Sequence, residues 1–504
     1  MKVSARASAL LRRVGLLVSG LVVLGLAGGV VGAAATFEPP TPSVVEVPEL
    51  RVGAGATSWV CAPAPTLPTA AAGEDLEYDP DLGTGGGSLA TLADLTAVGD
   101  AGRPVMSAGA IGQDRVDVGG AGQVATVSEP DVTDPVVAVV EPDAEGVPLV
   151  AALGLARADS GDLRGLVASV CQQPVASALL VGGSTALGSS ARLILSNPGD
   201  TAATVRVTAW GATGVLPDPP TVVVPAGAVR AVLLETISLE PRVAVRIDAE
   251  GGRVVPVIQD SALDGLVAAG TDMVGQTADP TTELLVGGLL LSSADGASAS
   301  LRLLNPGETA ATVTVETLGP DGAAQLEGAV GSVVEPGTVV DISLAGVPSG
   351  SYGLRVTSDE PVTGAVRTVR TGTAGEDDPD TPPVDVAWTP ATQPADRGVV
   401  PIPTALAERV DVSVTNPGTA AIDVTVTAYD ELGRAIDERA VAVGAGATAP
   451  LEVPAGALVL VVEGEGVVAG AVVTSEAEDG VLVSAYPMVP DPYTEQSVRV
   501  RVDG

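Results

Sequence analysis

Three stretches of this chain alternate apolar and polar residues in the same phase and behind the same preface. Residues 197–210 read NPGDTAATVRVTAW, residues 305–318 NPGETAATVTVETL and residues 416–429 NPGTAAIDVTVTAY, without a gap. Apolar side chains recur at every second position, the period of a strand with one face buried. The preface predicts a turn: Asn197-Pro198-Gly199, Asn305-Pro306-Gly307 and Asn416-Pro417-Gly418. Proline presets φ at the second position, glycine supplies a positive φ at the third, and the asparagine carbonyl bonds to backbone just beyond. The chain has three asparagines, all in this turn, spaced 108 and 111 residues apart. That spacing marks a repeated unit. Trp210, Leu318 and Tyr429 share one offset. They read as core plugs, since leucine cannot replace a ligand-stacking aromatic.

Two further features repeat. Val224-Pro225-Ala226-Gly227, Val334-Glu335-Pro336-Gly337 and Val443-Gly444-Ala445-Gly446 each lead into another apolar strand. Residues 243–258, 352–369 and 458–474 each read as strand, acidic or glycine turn, strand, hence a hairpin. A fourth copy of that closing pattern lies at 136–153 and implies a degenerate unit at the front. The expected architecture is all-β, a tandem array of immunoglobulin- or fibronectin-like sandwiches with about seven strands each. Its units are 49–172, 173–278, 279–384 and 385–504, the last including a C-terminal tail. A four-bladed propeller fits less well, because a blade takes only about 40–50 residues. Helical turns are expected only near 159–168 and 261–269, and residues 371–398 read as a linker or decoration.

The N-terminus breaks the pattern. Residues 1–13 carry Lys2, Arg6, Arg12 and Arg13 and no acid, and residues 14–35 carry no charge. A basic tail before an apolar run of that length reads as a transmembrane signal-anchor with the N-terminus cytoplasmic and the bulk exported. Cleavage after Ala35 is the alternative, although such apolar regions are typically about 7–15 residues. Residues 36–48 form a Pro-rich stalk. Export makes the two cysteines, Cys61 and Cys171, candidates for a disulfide. Two buried thiols are the other reading.

Composition narrows the chemistry. The net charge is −37, which disfavours nucleic acid. There is no histidine, which removes Ser-His-Asp and Cys-His catalysis and histidine-ligated metals. The sole lysine, Lys2, precedes the apolar run, so exported Ser-Lys and Schiff-base chemistry are absent too. Acids are plentiful in turns, so no carboxylate pair stands out for glycoside hydrolysis. Glu376-Asp377-Asp378-Pro379-Asp380 lacks the calcium-loop pattern and reads as a solvated acidic loop. Gly85-Gly86-Gly87 and Gly182-Gly183 lack the lysine of a phosphate loop. No catalytic, cofactor-binding or metal residue is assigned.

Trp59-Val60-Cys61, Cys171, Leu179-Leu180-Val181-Gly182-Gly183 and Asn197-Pro198-Gly199-Asp200-Thr201-Ala202-Ala203 together resemble an uncharacterised actinobacterial cell-envelope family known as a domain of unknown function. The resemblance implies one N-terminal membrane anchor, repeated β-sandwich-like units, extracytoplasmic placement and a part in envelope assembly. It offers no catalytic residue. The expected function is a non-catalytic scaffold or adaptor in the cell membrane with envelope protein partners, bound through edge strands and inter-unit grooves, and without a small-molecule cofactor. A surface glycan- or cation-binding module comes second and a glycoside hydrolase third. A glycan binder should present at least two exposed aromatics on a concave patch.

Overall fold

A computed structural model describes residues 14–15, 17–29, 49–51, 56–67, 87–94, 105–118, 125–130, 132–141, 149–217, 220–375, 380–491 and 497–499. The chain forms two compact bodies, one of residues 1–52 and 495–504 and one of residues 53–494. In the smaller body, residues 14–15 and 17–29 are helical. Leu17, Leu21, Leu24 and Leu26 on this helix are all exposed. Among the described residues no helix is long and apolar enough to cross a membrane. The basic tail, residues 30–35 of the expected anchor and the stalk lie outside the described residues. Glu49–Arg51 pairs antiparallel with Ser497–Arg499, so the start of the unit expected from residue 49 belongs to this body.

Among its described residues the main body is all-β, with a single 3-10 turn at Leu234–Thr236. The helical turns expected near 159–168 and 261–269 are instead strands and their connections, including Gly165–Val170 and Val255–Asp264. One pairing scheme occurs four times. In the second copy, Ser177–Val181 pairs with Ala244–Glu250, which pairs with Ala203–Gly211, which pairs with Thr221–Val224. On the other sheet Ala228–Leu233 pairs with Ser189–Asn197, which pairs with Val255–Asp264, which pairs with Val267–Val274. Numbered within the copy, the orders are 1-6-3-4 and 5-2-7-8. The same orders link Thr57–Cys61 through Gly165–Val170, Thr281–Leu291 through Val384–Pro390, and Ala395–Pro401 through Gly480–Pro487.

Two expectations are corrected by this order. The closing strands 6 and 7 are not a hairpin. Ala244–Glu250 and Val255–Asp264 lie in different sheets. In the last two copies they are one continuous strand, Gly350–Thr371 and Val459–Ala477, that passes from the first sheet to the second. Strand, turn, strand reads alike for a hairpin and for a sheet switch, because alternation records only which face is buried. The connectivity is also not that of an immunoglobulin domain, whose first two strands pair with each other. Here strand 1 pairs with 6 and strand 2 with 7.

The Asn-Pro-Gly turns connect strands 2 and 3, and each asparagine is a clasp. Asn305 is fully buried. Its Nδ2 donates to the carbonyls of Thr309 at 2.7 Å and Val334 at 2.9 Å, and its Oδ1 accepts from the Gly307 N–H at 2.9 Å. Asn197 does the same with Thr201, Val224 and Gly199, and Asn416 with Ala420, Val443 and Gly418. The side chain thereby ties its own turn to the next turn along the unit. Gly199, Gly307 and Gly418 are not in the left-handed region, contrary to the turn expected from sequence. They are required for another reason: a Cβ on Gly307 would sit 3.1 Å from Asn305 Oδ1, and on Gly418 2.9 Å from Asn416 Oδ1. Positive φ occurs at the second turn instead, at Gly227, Gly337 and Gly446.

The four sheet pairs close into a ring rather than a linear array. Leu153, Leu155 and Leu166 of the first pair share a core with Val412, Val414 and Val473 of the fourth. Arg164 of the first forms an ion pair with Asp479 of the fourth at 2.6 Å. Gln259 exchanges hydrogen bonds with the Thr66 backbone between first and second pairs. Arg302 donates to the Gly183 carbonyl between third and second, and Thr448 to the Leu318 carbonyl between fourth and third. At the centre lie the four eighth strands, Gly165–Val170, Val267–Val274, Val384–Pro390 and Gly480–Pro487. Each packs against the next around the axis. The boundary expected at residue 385 falls inside one of them, and the presumed linker 371–398 supplies its most buried groups.

Every eighth strand is the edge of its own sheet, so its outer backbone groups are buried without a ladder partner. A buried N–H left unpaired is costly. Two aspartates and a serine, all fully buried, fill the need. Asp385 Oδ2 accepts from Leu166 N–H at 3.1 Å and Val483 N–H at 2.7 Å. Asp272 Oδ2 accepts from Trp388 N–H at 2.6 Å, and Oδ1 from Ser484 Oγ at 3.0 Å. Ser484 Oγ in turn accepts from Ala168 N–H at 2.8 Å. Burial pushes the Asp385 carboxyl up to about 7, against the pull of three N–H donors and Arg164. Burial raises Asp272 well above the carboxylate range, with the nearby Asp385 adding to it.

Candidate functional site

Past the eighth strand, each copy of the chain turns back to touch its own strand 1. The bridges are Val60 with Gln172, Leu179 with Thr277 and Leu285 with Thr392. In the fourth copy Val399 pairs with Val489. Four returning segments therefore surround one end of the axis and enclose a cavity of about 380 Å³. The floor carries Ala168, Met273, Trp388 and Ala485, and the rim Gln172, Gln173, Gln276, Thr277, Thr392, Gln393 and Met488. Asp272, next to Met273 in the chain, lies beyond the lining with Ser484 and Asp385.

No side chain lining the cavity is acidic or basic, in a chain of net charge −37. Four of the chain's nine glutamines and two of its three tryptophans are here. Several of the polar side chains have partners. Gln276 Nε2 donates to Gln172 Oε1 at 2.7 Å. Trp388 Nε1 donates to Asp260 at 2.8 Å, and Arg302 lies 4.9 Å above its ring. Tyr486 donates to the Pro401 carbonyl at 2.6 Å, and burial raises its pKa further, so the phenol keeps its proton. Two buried donors, Trp59 Nε1 and Gln173 Nε2, find no acceptor among the described residues. Such a lining can hold a neutral polar ligand by hydrogen bonds. It has no group of accessible pKa with which to move a proton.

Cys61 and Cys171 form a disulfide, with Cα atoms 4.1 Å apart, in the wall of this cavity. The Asn-Pro-Gly turns lie elsewhere, between strands 2 and 3 of the second, third and fourth sheet pairs. Glu376–Pro379 of the acidic loop lie outside the described residues. Among the described residues no group of three His, Cys, Asp or Glu could hold a metal ion. The sequence reading passed over the glutamines. Their signal was present: Gln173-Pro174 and Gln393-Pro394 occupy equivalent returns, one after each eighth strand. The aromatics of the concave site are buried, Trp59 at 4% and Trp388 at 2% exposure, so they form no exposed stacking platform.

No curated protein and no solved structure matches this chain. The family described as a family of unknown function, DUF5719, matches residues 126–454, which span the second and third sheet pairs whole and parts of the first and fourth. Trp59, Cys61 and Tyr486 fall outside that span. With most of its length covered, the chain belongs to the DUF5719 family.

Proposed function

We propose that this protein is a non-catalytic scaffold or adaptor, held at the cell membrane by its N-terminal segment and displayed outside the cytoplasm as part of the cell envelope. The observation that carries the reading is the outer rim of the ring. The fourth strand of every sheet pair is an open edge among the described residues: Val116–Val118, Thr221–Val224, Gly322–Val334 and Ala435–Val443. Each exposes a β-branched apolar side chain, Val116, Val223, Val330 with Val333, and Ile436. An open edge with exposed apolar residues is a template for strand addition by a partner. Four such edges on one rigid ring suit an adaptor that gathers extended segments.

The placement rests on the four basic residues before the apolar run, the exposed leucines of the helix, and a disulfide that suits an oxidising compartment. The test is a photo-crosslinking residue at Val330 or Ile436 of the full-length chain in intact cells. Recovered protein partners that are lost when Val330→Lys and Val333→Lys are combined support the reading. Recovery of polysaccharide alone defeats it. Protease added to intact cells should digest the C-terminal body and spare residues 1–13; protection of the body would remove the export reading.

A further inference from the structure

We propose that the axial cavity is a binding site for a neutral saccharide of one or two rings. This does not depend on the adaptor reading, which concerns the outer rim. Size sets the first bound. A cavity of about 150 Å³ takes one benzene, so 380 Å³ has room for roughly two six-membered rings. Charge sets the second. The acidic body repels anions, and no carboxylate in the lining would pair with a cation.

The rim amides set the third. Val60 N–H donates to the Gln172 carbonyl at 2.8 Å and Gln172 N–H to the Val60 carbonyl at 2.9 Å. The Cys61–Cys171 disulfide closes this clamp and fixes the wall that carries Gln172. Trp59 Nε1 and Gln173 Nε2 have no accessible surface and lie behind that lining. Covering polar side chains without bonding to them is costly, so a purely apolar occupant is disfavoured and a ligand with hydroxyl groups is favoured. The amides of Gln172, Gln276 and Gln393 both donate and accept, as sugar hydroxyls do. The exposed aromatics expected of a surface glycan binder are missing from this cavity, and Met273 and Met488 stand in their place as apolar contacts for ring faces. A peptide fits less well: strands end at this cavity, so it presents no free backbone ladder for an extended chain.

The experiment uses the full-length protein in detergent. Glucose, N-acetylglucosamine and their β-1,4-linked dimers are titrated by calorimetry and by tryptophan fluorescence, with glucuronic acid and glucosamine as charged controls and a neutral pentapeptide as competitor. At least one neutral sugar should saturate with a Kd below about 10 mM, and its charged analogue should bind at least tenfold more weakly. Gln172→Leu and Gln393→Leu should each weaken binding by roughly 2- to 10-fold. Gln276→Ala, at a half-buried position, is the variant least able to disturb folding and should weaken it too. Cosedimentation with an insoluble β-1,4-glucan, lost in Gln393→Leu, would identify a polymer end rather than a free sugar as the source. No saturation by any sugar, peptide binding alone, or unchanged affinity in all three variants with wild-type melting temperature would overturn the proposal.

Discussion

Closure of the ring places a carboxylate where water cannot reach, and its pH dependence can be worked out. Asp385 has a pKa of about 7 in the fold against an ordinary 3.8. The folded chain therefore holds this proton more tightly than the unfolded chain. Stability from this group is complete below about pH 4 and is lost as pH rises toward 7. Above 7 both states are ionised and the loss levels off. At about 1.4 kcal/mol per pH unit, the loss accumulated between pH 5 and pH 7 is roughly 2–3 kcal/mol. Asp272 shifts the same way, so it adds to the trend. The general repulsion among 62 acidic residues also weakens on acidification and must be separated. Asp385→Asn does that, because its carbonyl still accepts from Leu166 and Val483 while the charge is gone. Urea titrations from pH 5 to 8, followed by tryptophan fluorescence, should show wild type gaining on Asp385→Asn as pH falls. Parallel profiles for the two proteins, or a wild type that loses ground on acidification, would refute the argument that a desolvated carboxylate pins the axis.

Two other features carry measurable consequences. Asn305→Ala removes three hydrogen bonds and strands the buried Val334 carbonyl, so it should cost about 2–4 kcal/mol. Gly307→Ala should destabilise the wild type but be nearly neutral in Asn305→Ala, because the crowding of its Cβ against Oδ1 is then relieved; additive urea midpoints in this double-mutant cycle would contradict the clasp. Replacing Cys61 and Cys171 by alanine opens a loop of 110 residues and should cost up to about 4.7 kcal/mol. The loss should appear first as hydrogen exchange at Val60 and Gln172, and uniform loosening of the whole ring would instead indicate that the bridge acts globally.

What the sequence disclosed was local. The alternation in ATVRVTAW is the buried and exposed alternation of Ala203–Gly211, and the copy at 136–153 belongs to a front unit whose strands pair as the others do. The disulfide followed from two cysteines and the expectation of export. Long-range relations were hidden for identifiable reasons. A sheet switch and a hairpin share one pattern. Asp385 sits in a Pro- and acid-rich stretch that composition assigns to a solvated linker, and nothing local distinguishes a buried aspartate from an exposed one. The glycine of Asn-Pro-Gly was expected for its φ, but it serves a steric need that only the asparagine's orientation reveals. Gln173-Pro174 and Gln393-Pro394 recur after the first and third eighth strands, but only the ring shows that these returns meet in one cavity.

The edges of the sheets connect these observations. A two-sheet unit with strand orders 1-6-3-4 and 5-2-7-8 has four edges, at strands 1, 4, 5 and 8. Strung out in a line, such units would expose their edges to unwanted pairing. The ring buries the eighth strands against one another, where geometry forbids a ladder and side chains must accept the N–H groups instead. Asp272, Asp385 and Ser484 are that acceptor set, and the raised carboxyl pKa values are the energetic trace of the burial. The returning segments then cover part of strand 1 and, in doing so, form the cavity. What is left unpaired is strand 5 and, on the outside with its exposed valines and isoleucine, strand 4. Closure thus divides the surface into an inner pocket and an outer rim of unpaired edges, and substitutions at Asp385 should loosen the pocket before they affect the rim.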